Sequence, residues 1–161
     1  MSQPKKNAFA VEFGVPIVVS THSRTQKKID TMGVKELHPN VRFLNPLGFC
    51  DYNKLQMHSL CVISDSGTIT EEGSILNLPA ITIRNAQERP EGMDVGTLIM
   101  SGLKKKLVID AVKVTVSQHN RSDRVMHPVE DYKAGLVSKQ ILRVVMRYIP
   151  YINRTVWSKN D

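Results

Sequence analysis

The most restrictive feature of the sequence is a series of five short apolar runs, each followed by a loop and a stretch long enough for a helix. The runs are VPIVVST (15–21), VRFLNP (41–46), CVISDS (61–66), AITIR (80–84) and LIMSG (98–102). Most are apolar throughout rather than alternating, which predicts strands covered on both faces. One helix between successive strands predicts right-handed crossovers and an α/β fold with a doubly wound, parallel, Rossmann-like sheet.

The two ends of the chain differ from this repeating pattern. We expect residues 1–14 to be a lead-in or a helix remnant and residues 15–135 to be the Rossmann-like domain. In residues 136–161, the segment LVSKQILRVVMRYI places apolar side chains on one helical face, namely Val137, Ile141, Val144 and Tyr148. The final residues are too aromatic for a disordered tail, so we expect this helix and tail to pack back on the domain.

Composition narrows the classes of function. The 161 residues suffice for one globular domain with a sizeable core. No apolar run reaches membrane-spanning length and the start shows no signal core, so we expect a cytoplasmic protein without a membrane partner. The net charge of +7 comes from scattered basic residues without interleaved aromatics, which favours a solvated face over nucleic-acid binding. Cys50 and Cys61 lack metal-ligand spacing and are expected to be unpaired thiols, with no metal or cofactor.

Polar and reactive side chains follow the predicted strands. In an open parallel sheet, ligands bind outside the carboxyl ends of the strands. The loops at that edge contain His22, Ser66, Thr68, Glu72 and Arg89. We therefore expect the ligand site to lie along this edge of the sheet.

The stretch SDSGTITEEGSIL (64–76) carries the clearest chemistry. Thr68 and Glu71 have the spacing of a capping box at a helix start. The free backbone N–H groups of that start, beside Ser66 and Gly67, would bind a phosphate. Glu72 would repel the phosphate unless it faces hydroxyl groups, and a ribose diol supplies them. The pattern thus predicts a nucleotide-diphosphate site. The alternative is that both glutamates only complement the helix dipole.

Two further residues carry open alternatives. His22 is either a structural residue with satisfied hydrogen bonds or part of the ligand edge. Arg89 precedes Pro90, a favourable helix start, and would either cap a neighbouring element or contact phosphate through its fork of donors.

The segment SDSGTITEEGSILNLPAITIRNAQERPEG (64–92) resembles the signature of the non-hydrolysing UDP-N-acetylglucosamine 2-epimerases. That signature is a strand, D-S-G-G/T, E-E, a second strand and E-R-P-E. VVSTHSRT (18–25) resembles the family's histidine loop, and YIPYINRTVW (148–157) resembles the branch that makes capsule and O-antigen sugars, including UDP-N-acetyl-L-fucosamine. The resemblance implies one half of a glycosyltransferase-B fold, and it implies that residues 15–135 bind UDP or a UDP-N-acetylhexosamine.

The resemblance also assigns roles to single residues. It implies that Ser66, Gly67 and Thr68 hold the diphosphate and that Glu72 holds the ribose. His22, the candidate catalytic residue, and Arg89 would line the cleft near the sugar and phosphates. Tyr52 would lie near the uracil, an expectation that comes from its position after the second strand rather than from the family motif.

The sequence also departs from the family pattern. Thr68 stands where glycine is frequent, and Ser23 follows the histidine where a regulated branch has arginine, so we expect no allosteric control by a second UDP-sugar. The family has a further domain before this one, which carries the carboxylates for proton transfer. We expect that domain, or a second chain, to be a necessary partner, with a homodimer also implied. Without it we expect an inactive UDP-binding domain; the alternative is a stand-alone UDP-sugar-binding module or relic.

Overall fold

The strands lie within the apolar runs and are shorter than those runs. The structure is a computed structural model that describes residues 3–21, 27, 31, 38–86, 89–133 and 135–159, with side chains described from residue 8 onward. The strands in these ranges are β1 (Ile17–Ser20), β2 (Val41–Leu44), β3 (Val62–Ser64), β4 (Ala80–Thr82) and β5 (Ile99–Met100).

Helices precede, separate and follow the strands. The α-helices in the described ranges are α1 (Gln3–Phe13), α2 (Phe49–Met57), α3 (Ile69–Leu76), α4 (Pro90–Asp94), α5 (Lys105–Gln118) and α6 (Val137–Thr155). A 3₁₀ turn also covers Glu130–Lys133. From β2 onward, the alternation of strands and helices is the one predicted from the sequence.

Every strand pairing is parallel in the part of the chain that the structure describes. β1 pairs with β2, with Ile17 opposite Val41. A second group has the order β3-β4-β5, with Val62 opposite Ala80 and Ile81 opposite Ile99. Parallel neighbours need crossover connections, which α3 supplies between β3 and β4 and α4 supplies between β4 and β5. The predicted parallel α/β architecture is confirmed.

Strand β4 lies between two apolar clusters, which explains why it is buried along its whole length. Successive strand residues point to opposite faces of a sheet. Ile81 packs in one cluster with Phe9 of α1 and Val108 of α5. Ala80 packs in the other cluster with Ile69 of α3. Helices therefore cover both faces, as a doubly wound sheet requires.

The polar segment after α5 wraps over the end of α3. Arg124 donates to the carbonyl oxygens of Ser74 and Ile75, at 2.5 and 3.1 Å. The backbone N–H of Val129 donates to the buried Ser74 hydroxyl at 2.9 Å. An arginine at the last carbonyls of a helix satisfies acceptors that lack helical partners. The segment thereby fixes the C-terminal end of α3, the helix that begins at the predicted ligand loop.

Helix α6 is almost entirely exposed. The predicted apolar face is present, but no residue of the helix is buried. Leu142 is 62% exposed, and Trp157 just beyond the helix is 66% exposed. The structure thus gives no support to the expected packing of this segment against the rest of the chain. None of the described helices is long and apolar enough to cross a membrane.

Candidate functional site

The loops after β3, β4 and β5 meet at the carboxyl edge of the sheet. Ser64 lies opposite Thr82, which in turn lies opposite Met100, so these three strands end side by side. Arg84, just after β4, donates through Nε to the carbonyl oxygen of Asp65 at 2.6 Å. This hydrogen bond ties the loop after β4 to Asp65, the residue before the loop Ser66–Thr68.

The candidate phosphate loop, Ser66–Thr68, is held by its own hydroxyl groups. The backbone N–H of Ser66 donates to Ser64 Oγ at 3.0 Å. The Ser66 and Thr68 hydroxyls share a hydrogen bond of 2.9 Å. Ser66 and Thr68 are both exposed. The loop therefore presents two hydroxyls and a helix N-terminus to solvent at the place where the sequence predicts an anion.

The predicted capping box is wrong. Thr68 has φ −64° and ψ −15°, the conformation of the helix itself, and its side chain makes no capping hydrogen bond. Helical hydrogen bonding already involves Gly67 and Thr68, whose carbonyls accept from Thr70 N at 3.2 Å and Glu72 N at 2.9 Å. Glu71 does not reach back to the backbone, because it pairs with an arginine from another part of the chain.

That partner of Glu71 is Arg89. Its Nε donates to Glu71 Oε1 at 2.5 Å, and both side chains are about one-third exposed (34% and 29%). The sequence left open whether Arg89 contacts phosphate or a neighbouring element, and the structure shows the contact with α3. A role of Arg89 toward phosphate stays a prediction.

Helix α4 packs unusually close to the first turn of α3. A Cβ added at Gly92 would lie 2.0 Å from Thr70 Cγ2, so only glycine allows this approach of α4. The next contact comes from Tyr132, whose hydroxyl donates to Glu91 Oε1 at 2.7 Å. Burial and the adjacent carboxylate raise the pKa of Tyr132 well above its usual range. These contacts hold Arg89 beside the first turn of α3.

Glu72 faces a different element. Its Oε2 accepts a hydrogen bond of 2.8 Å from Nε2 of Gln56, the buried residue of α2. Tyr52 lies one turn earlier on the same helix, and the pKa of its phenol is raised by burial and by the charge of Glu72. Tyr52 and Glu72 are therefore neighbours, as a site containing both would require.

The structure thus brings most of the predicted residues to one edge. Ser66–Thr68 lie directly before α3, and Glu72 lies in the first turn of that helix. Arg89 packs against the same helix through Glu71. Tyr52 reaches the same helix from α2. His22 lies outside the described residues, so its position stays a prediction. No group of three or more His, Cys, Asp or Glu side chains with metal-binding geometry occurs within the described ranges.

Sequence reasoning missed several residues of this site: Gln56, Arg84, Gly92 and Tyr132. A helical spacing of four between Tyr52 and Gln56 was the available signal, because it puts both on one face. Tyr132 had no local signal, since its partner Glu91 is 41 positions away in the sequence.

Fold and site together define a class: an α/β domain with a parallel sheet and polar loops at the carboxyl ends of its strands. Comparison with known proteins gives a more specific assignment, a family. A family model described as UDP-N-acetylglucosamine 2-epimerase matches residues 7–146. The chain therefore belongs to the UDP-N-acetylglucosamine 2-epimerase family.

Individual relatives agree with this assignment. The chain is 30% identical over 132 residues to a UDP-N-acetylglucosamine 2-epimerase of Methanocaldococcus jannaschii, covering 80% of this chain and 34% of the relative. It is 54% identical to the structure of UDP-N-acetylglucosamine 2-epimerase from Rickettsia bellii, with a TM-score of 0.88 over 97% of this chain and 43% of that one. The chain thus spans well under half the length of these relatives.

A third comparison bears on the fold alone. The crystal structure of the Methanocaldococcus jannaschii UDP-GlcNAc 2-epimerase, in complex with UDP-GlcNAc and UDP, matches 89% of this chain with a TM-score of 0.78 and 24% identity. Epimerases of this family have a glycosyltransferase-B-like fold. The predicted resemblance to part of that fold is confirmed.

Proposed function

We propose that the chain is the UDP-binding domain of a UDP-N-acetylhexosamine 2-epimerase and that it needs the rest of the enzyme for turnover. One observation carries the proposal: a hydroxyl-lined loop and a positioned carboxylate lie one helical turn apart at the carboxyl edge of the sheet. The loop Ser66–Thr68 would bind the diphosphate through its hydroxyls and the N-terminus of α3. Glu72 would accept the ribose hydroxyls.

Ligands of the relatives support this assignment of the nucleotide. The Methanocaldococcus jannaschii enzyme was crystallised with UDP-GlcNAc and UDP, and the Neisseria meningitidis enzyme with UDP-GlcNAc. In this chain, Arg89 would add positive charge near the phosphates, and Tyr52 would lie near the uracil. Cytoplasmic location and a place in the capsule and O-antigen branch, with a sugar such as UDP-N-acetyl-L-fucosamine, belong to the same proposal.

The proposed reaction inverts carbon 2 of the sugar. A base removes the proton from carbon 2, and the bond between carbon 1 and the UDP oxygen breaks, which gives UDP and a 2-acetamidoglucal. Reprotonation of carbon 2 from the other face and return of UDP to carbon 1 complete the inversion. His22 would act on the sugar side, while the carboxylates for proton transfer would come from the remaining part of the enzyme.

Helix α6 supports the need for a partner. Its apolar face includes Ile141 and Val144, which are 58% and 56% exposed. The basic side chains Arg143 and Arg147 lie on the opposite arc. A long amphipathic helix gains most of its stability from packing that face. The relatives are more than twice as long as the segment that this chain matches. We therefore propose that the remaining part of the enzyme packs on the apolar face of α6.

Calorimetric titration tests the nucleotide site. UDP should bind the 161-residue chain more tightly than uridine does, because only UDP carries the diphosphate. Equal affinities for the two ligands would contradict a diphosphate site at Ser66–Thr68.

A complementation assay tests the need for a partner. The unmatched segment of the Rickettsia bellii enzyme would be expressed separately and mixed with this chain in deuterated water. Exchange at carbon 2 of the UDP-sugar should appear in the mixture, and Val144→Glu should abolish it while Arg143→Glu preserves it. Exchange by the chain alone would overturn the requirement. Binding of UDP without exchange in the mixture would favour the stand-alone binding module.

A further inference from the structure

Gln56 is buried and makes one directional contact. Only 4% of its surface is exposed, and it is the buried residue of α2. Its Nε2 donates to Glu72 Oε2 at 2.8 Å. Its Oε1 is also buried, and no described residue donates a hydrogen bond to it.

This arrangement is unfavourable for Gln56 considered alone. A buried acceptor without a partner lowers stability, and native proteins keep few of them. The orientation of the amide is therefore set by the carboxylate it faces rather than by its own hydrogen-bonding needs. A hydrogen bond to a charged acceptor is stronger than one between neutral groups, and burial fixes the side chain that donates it.

We infer that Gln56 is a positioning residue, which holds the Glu72 carboxylate in the orientation that accepts the ribose hydroxyls. The inference rests on the proposed function, because it assumes that Glu72 binds ribose. Gln56 itself is too buried to touch the ligand. Its effect is therefore on discrimination between nucleotides with and without ribose hydroxyls, rather than on phosphate binding.

Tyr52 supplies independent support from the same helix. It lies four residues before Gln56, so both side chains leave α2 toward Glu72. Burial and the negative charge of Glu72 both raise the pKa of the Tyr52 phenol. Just after the C-terminal end of α2, the Ser59 hydroxyl donates to the backbone carbonyl of Gln56 at 2.7 Å. The backbone that carries Gln56 is thus held in place.

The test compares UDP with 2′-deoxy-UDP by calorimetric titration on the 161-residue chain. Wild-type protein should prefer UDP by about tenfold, as expected for one hydrogen bond to a charged group. Gln56→Met keeps the volume of the side chain but removes the donor, and it should reduce this preference to about twofold or less. Gln56→Asn keeps an amide that is one methylene too short, and it should behave likewise if the methionine variant fails to fold. Gln118→Met, at an exposed glutamine, is the matched control and should keep the full preference.

A double-mutant cycle separates positioning from general damage to the fold. In the Glu72→Ala background, Gln56→Met should cause no further loss of the preference. A wild-type protein without any preference would refute the ribose role of Glu72, and with it the proposed function of this residue. A wild-type preference that survives in both Gln56 variants would overturn the inference alone. A further loss in the Glu72→Ala background would also overturn it, because Gln56 would then act independently of Glu72.

Discussion

Substituting Gly92 by alanine tests the contact that holds helix α4 against α3. The added Cβ would lie 2.0 Å from Thr70 Cγ2. Carbon atoms pack at about 3.5–4.0 Å, so helix α4 and the first turn of α3 must separate by roughly 1.5 Å or more. Thr70 is buried and has little room to move. We expect Gly92→Ala to lower the free energy of unfolding by about 3 kcal/mol, at the upper end of overpacking costs.

A second substitution identifies the cause of that loss. Thr70→Ser removes Cγ2, after which the nearest atoms to the new Cβ are Thr70 Cβ and Thr97 Oγ1, both at 3.5 Å. That distance is ordinary packing. Thr70→Ser alone should cost about 1 kcal/mol for one lost methyl group. The double variant should be no less stable than Thr70→Ser, so the two changes should couple by about 3 kcal/mol.

Urea denaturation followed by circular dichroism measures these differences. Gly48→Ala is the matched control, because the nearest atom to its new Cβ is Asp51 Oδ2 at 4.0 Å. Because Gly48 is the N-cap of α2, where alanine is poorer than glycine, this control should cost at most about 1 kcal/mol, well below the loss expected for Gly92→Ala. In thermal melts, the Gly92→Ala variant should lose about 6 to 12 °C. A Gly92→Ala protein as stable as wild type, or one that Thr70→Ser does not rescue, would refute the steric argument.

Three further predictions concern the site and its supports. Glu72→Ala should weaken UDP binding more than Glu71→Ala does, as measured by calorimetric titration. Glu71→Ala should instead lower the free energy of unfolding by about 1 kcal/mol in urea denaturation, through loss of a partly exposed ion pair. A larger loss of UDP affinity in Glu71→Ala, or a larger loss of stability in Glu72→Ala, would contradict this assignment. Tyr132→Phe should lower stability by about 1 kcal/mol, because Glu91 loses a hydrogen bond, and an unchanged urea midpoint would count against it. Burial raises the pKa of Cys61 to about 12. Its thiol therefore stabilises the fold below the unfolded pKa of about 8.5 and loses this contribution as the pH rises toward 12, so Cys61→Ala should show a shallower alkaline decline in urea denaturation.

The strands and the candidate ligand edge were predictable because their signals are local. Apolar runs such as 61–66 and 80–84 have few alternatives to buried parallel strands. Once the strands are parallel, the loops after them meet at one edge, and the position of Ser66–Thr68 follows. Strand ends were less predictable, since polar residues at the end of a run leave the ladder to form the loop.

The contacts that orient the site were not predictable, because they join residues distant in sequence. The capping box failed since Arg89, 18 positions away, offers Glu71 a full charge in place of one backbone N–H. Gln56 was missed because a glutamine near the end of a short helix carries no pattern that predicts burial. Helix α6 was predicted from its periodicity. The periodicity of one helix shows that it has an apolar face to bury, but it does not show which element packs on that face.

The two adjacent glutamates illustrate how one helix start serves two purposes. Successive residues of a helix diverge by about 100°, so neighbouring side chains face different elements. Glu71 turns toward α4 and pairs with Arg89, while Glu72 turns toward α2 and accepts from Gln56. Each carboxylate therefore has its own positive or donor partner, and the pair does not place two bare charges beside a bound phosphate. Under the proposed function, this separation would let Ser66–Thr68 attract the diphosphate although two acidic residues occupy the first turn of the same helix.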